Sequence, residues 1–227
     1  MQKSGTLLTR SRKAKFFEGL GSKEVREILN AAELRKVGRH KIVIMAGENA
    51  THLFLLLSGY AQFYRLSHDG DKVLLSRLVH GNIFGLATLL SRPMRYFGTA
   101  ETTSDSEFLV WDQARIRKLA EKYPKLAENA LGIVLRYLAA HADRLVDLVT
   151  LTAAERLSRA MFHLCKHAGK IVPSGVEIET TNEELSDLAN VSSFTVSRLL
   201  NKWARKGAVA KSRGKVFVYS PDKLLPD

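Results

Sequence analysis

Thr181-Asn182-Glu183-Glu184-Leu185-Ser186-Asp187-Leu188-Ala189-Asn190, followed by Val191-Ser192-Ser193-Phe194-Thr195-Val196-Ser197-Arg198-Leu199-Leu200, is the stretch that decides the reading of this chain. Thr181 with Glu184 three residues later fits a capping box, in which hydroxyl and carboxylate each take an amide the helix start leaves unpaired. Leu185, Leu188 and Ala189 give the helix an apolar face. Asn190 ends it, and Ser192 is placed to cap a second helix. That helix turns Val196, Leu199, Leu200 and Trp203 inward and leaves Ser193, Phe194, Ser197 and Arg198 near its exposed start. From Val191 to Ser220 the chain carries Arg198, Lys202, Arg205, Lys206, Lys211, Arg213 and Lys215 and no acidic residue, the later part reading as a basic hairpin. Two short helices across a tight turn beside a basic hairpin are built to enter a DNA major groove. A small helical subdomain with a solvated basic face carries the same local signals, so the rest of the chain has to weigh in.

Composition points the same way. The 227 residues suffice for two compact domains, each with its own core. A formal net charge of +12 and a pI near 9.9 favour a polyanionic partner. No apolar run approaches the ~18 residues of a membrane span. The basic N-terminus (Lys3, Arg10, Arg12, Lys13, Lys15) lacks the apolar core of a signal peptide, so a cytoplasmic protein with no membrane partner is expected. Cys165 is the single cysteine, which excludes an internal disulfide and a cysteine-ligated zinc or iron–sulfur site within one chain.

Three blocks follow along the chain: 1–112, 113–150 and 151–227. Phe16 to Leu29 reads as short helices. Ile42-Val43-Ile44, His52 to Leu57, Tyr60 to Leu66, Lys72 to Val79 and Glu107 to Trp111 read as short strands among glycines, with His68-Asp69-Gly70-Asp71 a hairpin signal. Regularly spaced short strands argue for a sandwich or barrel. A short helix (112–122) precedes Pro124, and a long one spans 124–149, ~39 Å at 1.5 Å per residue. Leu131, Leu135, Leu138, Ala142, Leu145 and Val149 recur on it at alternating spacings of four and three, as in a coiled-coil seam. The stripe serves either a dimer or burial against the chain's own strands. Leu151 to Ala168 reads as one more helix.

The ordered set of Phe16-Phe17-Glu18-Gly19-Leu20, Ala46-Gly47-Glu48, Leu57-Ser58-Gly59, Asp69-Gly70, Gly81-Asn82-Ile83-Phe84-Gly85-Leu86, Arg156-Leu157 and the 191–200 segment resembles the Crp/Fnr family of bacterial transcription factors. The resemblance implies an α+β fold: N-terminal helices and a β-roll effector domain related to cyclic-nucleotide-binding domains (1–112), a short helix and a long dimerisation helix (113–150), and a winged-helix DNA-binding domain (151–227). It implies a homodimer formed through the 124–149 helix, double-stranded DNA as partner, and RNA polymerase as a further partner of an activator.

The effector pocket departs from the nucleotide-binding relatives, in which a Gly-Glu pair and an Arg-Ser pair cradle ribose and phosphate. Gly85-Leu86 matches the first pair, and Leu86 has no acceptor for a ribose hydroxyl. Tyr96-Phe97, or Arg95-Tyr96 with a one-residue shift, matches the second; the Arg95 guanidinium suits an anion. The Thr-Ser pair that meets adenine in cyclic-AMP-binding members is His141-Ala142 here. Residues 84–90 with Arg95-Tyr96-Phe97 look closer to the family's 2-oxoglutarate-sensing nitrogen regulators, whose Arg and Glu on the long helix are matched by Tyr137 and Ala142. The pocket set is therefore Gly85, Leu86, Arg95, Tyr96, Tyr137 and His141, and the expected effector is a small molecule other than cyclic AMP, or none.

No cofactor, metal site or enzymatic motif is expected. His163 and His167 share a helix face but supply two ligands at most, and Cys165 lies off that face. His80 and His141 are nominal haem ligands only. The expected function is sequence-specific regulation of transcription. Arg198 would take guanine O6 and N7, Ser197 a neighbouring base, and Phe194 a thymine methyl, while Thr195, Lys202, Lys211, Arg213 and Lys215 hold phosphates and Ser193 lies at the helix start among them. The competing expectation is a regulatory module whose basic C-terminal domain binds a partner other than DNA.

Overall fold

A computed structural model describes residues 14–167, 169–220 and 224; the basic residues Lys3 to Lys13 lie outside them. Chain contacts divide the molecule into two compact units within the long helix, one ending at Tyr137 and one beginning at Leu138.

The first unit is a β-roll wrapped by helices. Its strands are β1 (Glu33–Val37), β2 (Ile42–Ile44), β3 (His52–Ser58), β4 (Ala61–Leu66), β5 (Lys72–Leu78), β6 (Ile83–Phe84), β7 (Thr99–Thr102) and β8 (Ser106–Asp112). They form two antiparallel four-stranded sheets, ordered β1-β8-β3-β6 and β2-β7-β4-β5. β3 shows why the sequence folds this way. Strand residues alternate between faces, and β3 is apolar on both: Phe54 and Leu56 join Phe84, Phe108, Val110 and Ala100 in one buried cluster. Leu53, Leu55 and Leu57 join Trp111, Phe16, Phe17, Ile28 and Ile116 in the other, beneath α1 (Ser22–Asn30) and α2 (Gln113–Lys122). The Trp111 indole donates to Ile28 O at 2.8 Å, so the ring is buried with its one polar atom satisfied.

The sequence reading placed the long strands and the Gly70 hairpin and missed three. β1 is polar and half exposed along its length, β7 is Thr-Ala-Glu-Thr, and β6 has two residues, so none carries an apolar run. β4 starts at Ala61, because Gly59 in the left-handed region (φ 83°) leaves Tyr60 outside the strand.

α3 (Lys125–Thr150) carries two apolar stripes. Leu126, Ala130 and Ile133 pack against the first core, and the Tyr137 ring lies 6.4 Å from that of Phe63. The other stripe, Leu131, Leu135, Leu138, Leu145 and Val149, is 54–79% exposed. Burial of that stripe against the chain's own strands is thus not what these residues do.

The second unit continues with α4 (Ala153–His167), β9 (Lys170–Val172), β10 (Gly175–Glu179), α5 (Asn182–Ala189), α6 (Ser193–Arg205), β11 (Val209–Ser212) and β12 (Lys215–Val218). Its sheet runs β11-β12-β10-β9, two strands more than the hairpin read from sequence. The core joins Leu157, Met161, Ile178, Leu185, Ala189, Val196, Leu200 and Trp203 to Val209, Val216 and Val218. No helix among the described residues is long and apolar enough to cross a membrane. The architecture is α+β: β-roll, long helix, winged helix-turn-helix.

Candidate nucleic-acid interface

The helix-turn-helix is set by its caps. Thr181 Oγ1 accepts from Glu184 N at 3.1 Å while Thr181 N donates to Glu184 Oε2 at 3.0 Å. Asn190 adopts the left-handed conformation (φ 50°, ψ 56°) that ends α5, as an amide side chain tolerates there. Ser192 Oγ accepts from Thr195 N at 3.1 Å and starts α6. Val196, Leu199, Leu200 and Trp203 are buried, so the opposite face of α6 is fixed outward. Leu188 departs from the sequence reading: it is 49% exposed, because the α5 face that meets the core is carried by Leu185 and Ala189.

That outward face brings together most of the residues singled out from sequence. Phe194 is 78% exposed rather than buried in the domain core. Ser193, Arg198 and Lys202 are exposed, and Ser197 is half-buried. Among the described residues, the side chains of Arg198, Lys202, Lys211 and Arg213 have no hydrogen-bond or ion-pair partner. The hairpin β11–β12 turns at Arg213-Gly214, with Gly214 at φ 72°, and holds Lys211 and Arg213 in solvent. Two assigned contacts are differently placed. Lys215 Nζ lies 2.7 Å from Glu177 Oε1 and 3.8 Å from Glu179 Oε1, and the Glu177 hydrogen bond holds its ammonium pKa above the ordinary lysine value. Thr195 Oγ1 lies 2.9 Å from the capping Ser192 Oγ and is half-buried. Asn201 and Arg205, not singled out from sequence as contacts, are exposed on α6. Their spacing of three, seven and eleven from Phe194 and Arg198 was the available signal.

The effector-pocket set is mostly engaged inside the β-roll. Gly85 sits at φ 82°, and a Cβ there would lie 2.5 Å from His52 O, so its glycine serves a close backbone approach. Leu86 packs against the core. The buried Tyr96 hydroxyl accepts from His52 N at 2.9 Å and Thr51 N at 3.2 Å and donates to His52 O at 3.0 Å. Arg95 Nη1 donates to Gly47 O at 2.5 Å. Tyr137 belongs to the first unit and His141 to the second. The His141 imidazole is held below its ordinary pKa by burial and by the nearby Arg144. His80 uses Nδ1 on Leu57 O at 2.8 Å. Among the described residues no three His, Cys, Asp or Glu side chains gather as a metal site, and the His167 side chain lies outside the description. Burial raises the Cys165 thiol pKa, which keeps it protonated and unreactive.

Comparison with known proteins agrees with this geometry. The cyclic nucleotide-binding domain family matches residues 34–123, and the Crp-like helix-turn-helix domain family matches residues 155–226. The chain is 29% identical over 203 residues to a protein named cyclic AMP receptor protein from Thermus thermophilus, covering 89% of this chain and 91% of that one. It is 23% identical over 198 residues to a global nitrogen regulator of Synechococcus elongatus, covering 85% and 88%. Among solved structures, the Xanthomonas campestris global regulator CLP, described as responsive to c-di-GMP, superposes with a TM-score of 0.75 at 18% identity, covering 88% of this chain and 100% of that one. The catabolite activator protein of Thermus thermophilus does so with a TM-score of 0.54 at 28% identity, covering 92% and 96%. The chain belongs to the Crp/Fnr family, a family of transcription regulators and not of enzymes, and its C-terminal domain is the family's DNA-binding helix-turn-helix.

Proposed function

We propose that the protein is a homodimeric regulator that binds a palindromic promoter site and answers to a small molecule other than cyclic AMP, or works without an effector. The observation that carries the DNA contacts is the outward face of α6 and the wing, where Phe194, Arg198, Lys202, Lys211 and Arg213 are exposed and the four cations are unpaired among the described residues. Arg198 reads guanine O6 and N7, Ser197 a neighbouring base, and Phe194 presses on a thymine methyl. Ser193, Thr195, Lys202, Lys211, Arg213 and Lys215 belong to the same surface, with Lys202, Lys211 and Arg213 setting register on phosphates and Lys215 held on Glu177. The exposed stripe Leu131–Val149 supports pairing of two copies through α3, since an aliphatic seam of this spacing is otherwise left in water. The block boundaries 1–112, 113–150 and 151–227 describe effector, dimerisation and DNA-binding parts. The effector set Gly85, Leu86, Arg95, Tyr96, Tyr137 and His141 lacks the polar pairs of nucleotide-binding relatives, which supports an effector of another kind or none. RNA polymerase is the further partner if the regulator activates.

Footprinting on genomic fragments enriched by the protein tests this reading. A two-fold symmetric protection with half-sites centred ~10 base pairs apart is expected, because paired recognition helices lie about one turn of DNA apart. Protection of a single asymmetric half-site would sink it.

A further inference from the structure

The end of α5 is held from outside by two arginines. A helix terminus leaves carbonyls without intrahelical partners. Asn190 and Val191 both return their N–H groups to Ser186 O, which leaves the carbonyls of Asp187, Ala189 and Asn190 to find other donors. Arg144, on α3, donates Nη2 to Asp187 O at 2.9 Å and approaches Asn190 Oδ1 at 3.5 Å. Arg156, on α4, donates Nε to Ala189 O at 3.0 Å and Nη2 to Asn190 O at 3.4 Å. The same guanidinium donates Nη1 to Leu151 O at 2.7 Å, in the short link between α3 and α4. One side chain therefore ties that link to the turn from which α6 starts at Ser193. Both cations also sit at the negative end of the α5 dipole, where they are favoured.

α4 and α5 pack through Leu157, Met161, Leu185 and Ala189. A cleft of about 220 Å³ lies among the three helices, lined by Leu148, Ala160 and Leu188 as well as by Arg144, Arg156 and the Arg159–Asp147 ion pair. Close-packed side chains would fix the angle between α3 and α5 by shape. Here directional bonds from Arg144 and Arg156 border a hollow.

We propose that Arg144 and Arg156 are positioning residues: through the carbonyls of the α5–α6 turn they set the angle at which α3 carries the recognition helix, and with it the half-site separation the protein prefers. The proposal rests on the dimeric reading above. It is tested with the full chain bearing Arg144→Met, Arg156→Met or both, which keep length and remove the donors. Three quantities are read: affinity for an isolated half-site, affinity for palindromes with the half-sites moved apart or together by one or two base pairs, and thermal stability. Half-site affinity of the folded variants should stay near wild type, while melting falls modestly because the bonds lost are intramolecular. Affinity for the best palindrome should fall about tenfold relative to that for the half-site, and the separation profile should flatten. Equal loss on half-site and palindrome would overturn the proposal, since the arginines would then serve the fold or touch phosphate. An unchanged profile in the folded double variant would also overturn it. Arg156→Lys, which keeps the charge but not three simultaneous carbonyl bonds, carries the same comparison if the methionine variants unfold. A wild-type protein that binds half-site and palindrome alike would instead refute the dimeric reading itself.

Discussion

Arg198 and Tyr96 are both side chains in which the sequence reads ligand contact, and they end in opposite circumstances. Arg198 stands on the outward face of α6 with no partner among the described residues. Tyr96 is buried, and its hydroxyl makes three hydrogen bonds to the backbone of Thr51 and His52. The contrast extends to their surroundings. On α6 and the wing, the apolar side of each element is consumed by the core, and the side chains of Arg198, Lys202, Lys211 and Arg213 are left over. In the β-roll, Leu86 belongs to the core, Arg95 reaches Gly47 O, and Gly85 is fixed by its approach to His52. A polar group already bonded to its own backbone must lose that bond to hold a ligand, and a buried orphan costs more than a bond gained. The exposed cations of the helix-turn-helix therefore have no internal bond to give up to a ligand, whereas the effector-side residues hold their own fold.

The largest effect that would break this comparison is at Arg198. Arg198→Ala should cost about 1–3 kcal/mol on the preferred site and relax discrimination at one guanine. Binding measured across a base-substitution series checks it; a uniform loss at every sequence would make Arg198 a phosphate contact.

Tyr96→Phe addresses the other side. It leaves the amides of Thr51 and His52 without their acceptor in a part-buried place, so the β-roll should lose about 1 kcal/mol in denaturant unfolding. DNA preference should not move. Unchanged stability together with an altered response to small molecules would make Tyr96 a ligand group.

Within the wing the comparison repeats on a smaller scale. Lys211 is exposed and unpaired, whereas Lys215 sits on Glu177. Lys211→Ala should weaken binding to all sequences and lower the salt slope by about one, because each phosphate contact releases about one counterion. Lys215→Ala should leave the slope close to wild type. Equal slopes for the two variants would mean that Lys215 leaves Glu177 for a phosphate in the complex.

What the sequence made legible was local. The Thr181–Glu184 box, the left-handed Asn190 and the Ser192 cap each depend on residues within four positions, and all three stand where the sequence puts them. β3 was legible because Leu53 to Leu57 is apolar without interruption. β1 and β7 were not, since their pairing partners and not their composition make them strands. The same limit applies at the sites. Nothing near Lys215 in sequence announces Glu177, its partner 38 residues earlier, and the carbonyls at the end of α5 that Arg144 and Arg156 hold lie 33 to 43 residues away. The exposure of Phe194 could be read from the 3.6-residue period, but its neighbours Asn201 and Arg205 were in the same register and were passed over.

Cyclic AMP should have the smallest effect of all, none on DNA affinity. A ligand shifts an equilibrium only by its differential affinity for the two states, and that requires groups to hold it. Leu86 packs in the core and has no acceptor for the ribose hydroxyl. Tyr96, in the register of the phosphate-binding pair, has its hydroxyl bound to the backbone, and the neighbouring Phe97 ring is exposed beneath the Arg65 guanidinium, 5.1 Å from the ring centre. Arg95 is the one cation of the set, and meeting a phosphate there means giving up Gly47 O. His141-Ala142 offers no hydroxyl to adenine. Calorimetric titration with cyclic AMP should show no binding at micromolar concentration, and DNA affinity should be the same with and without it. Micromolar binding would show that the β-roll exchanges its own backbone contacts for a ligand, and the contrast between a committed effector side and a free DNA face would collapse.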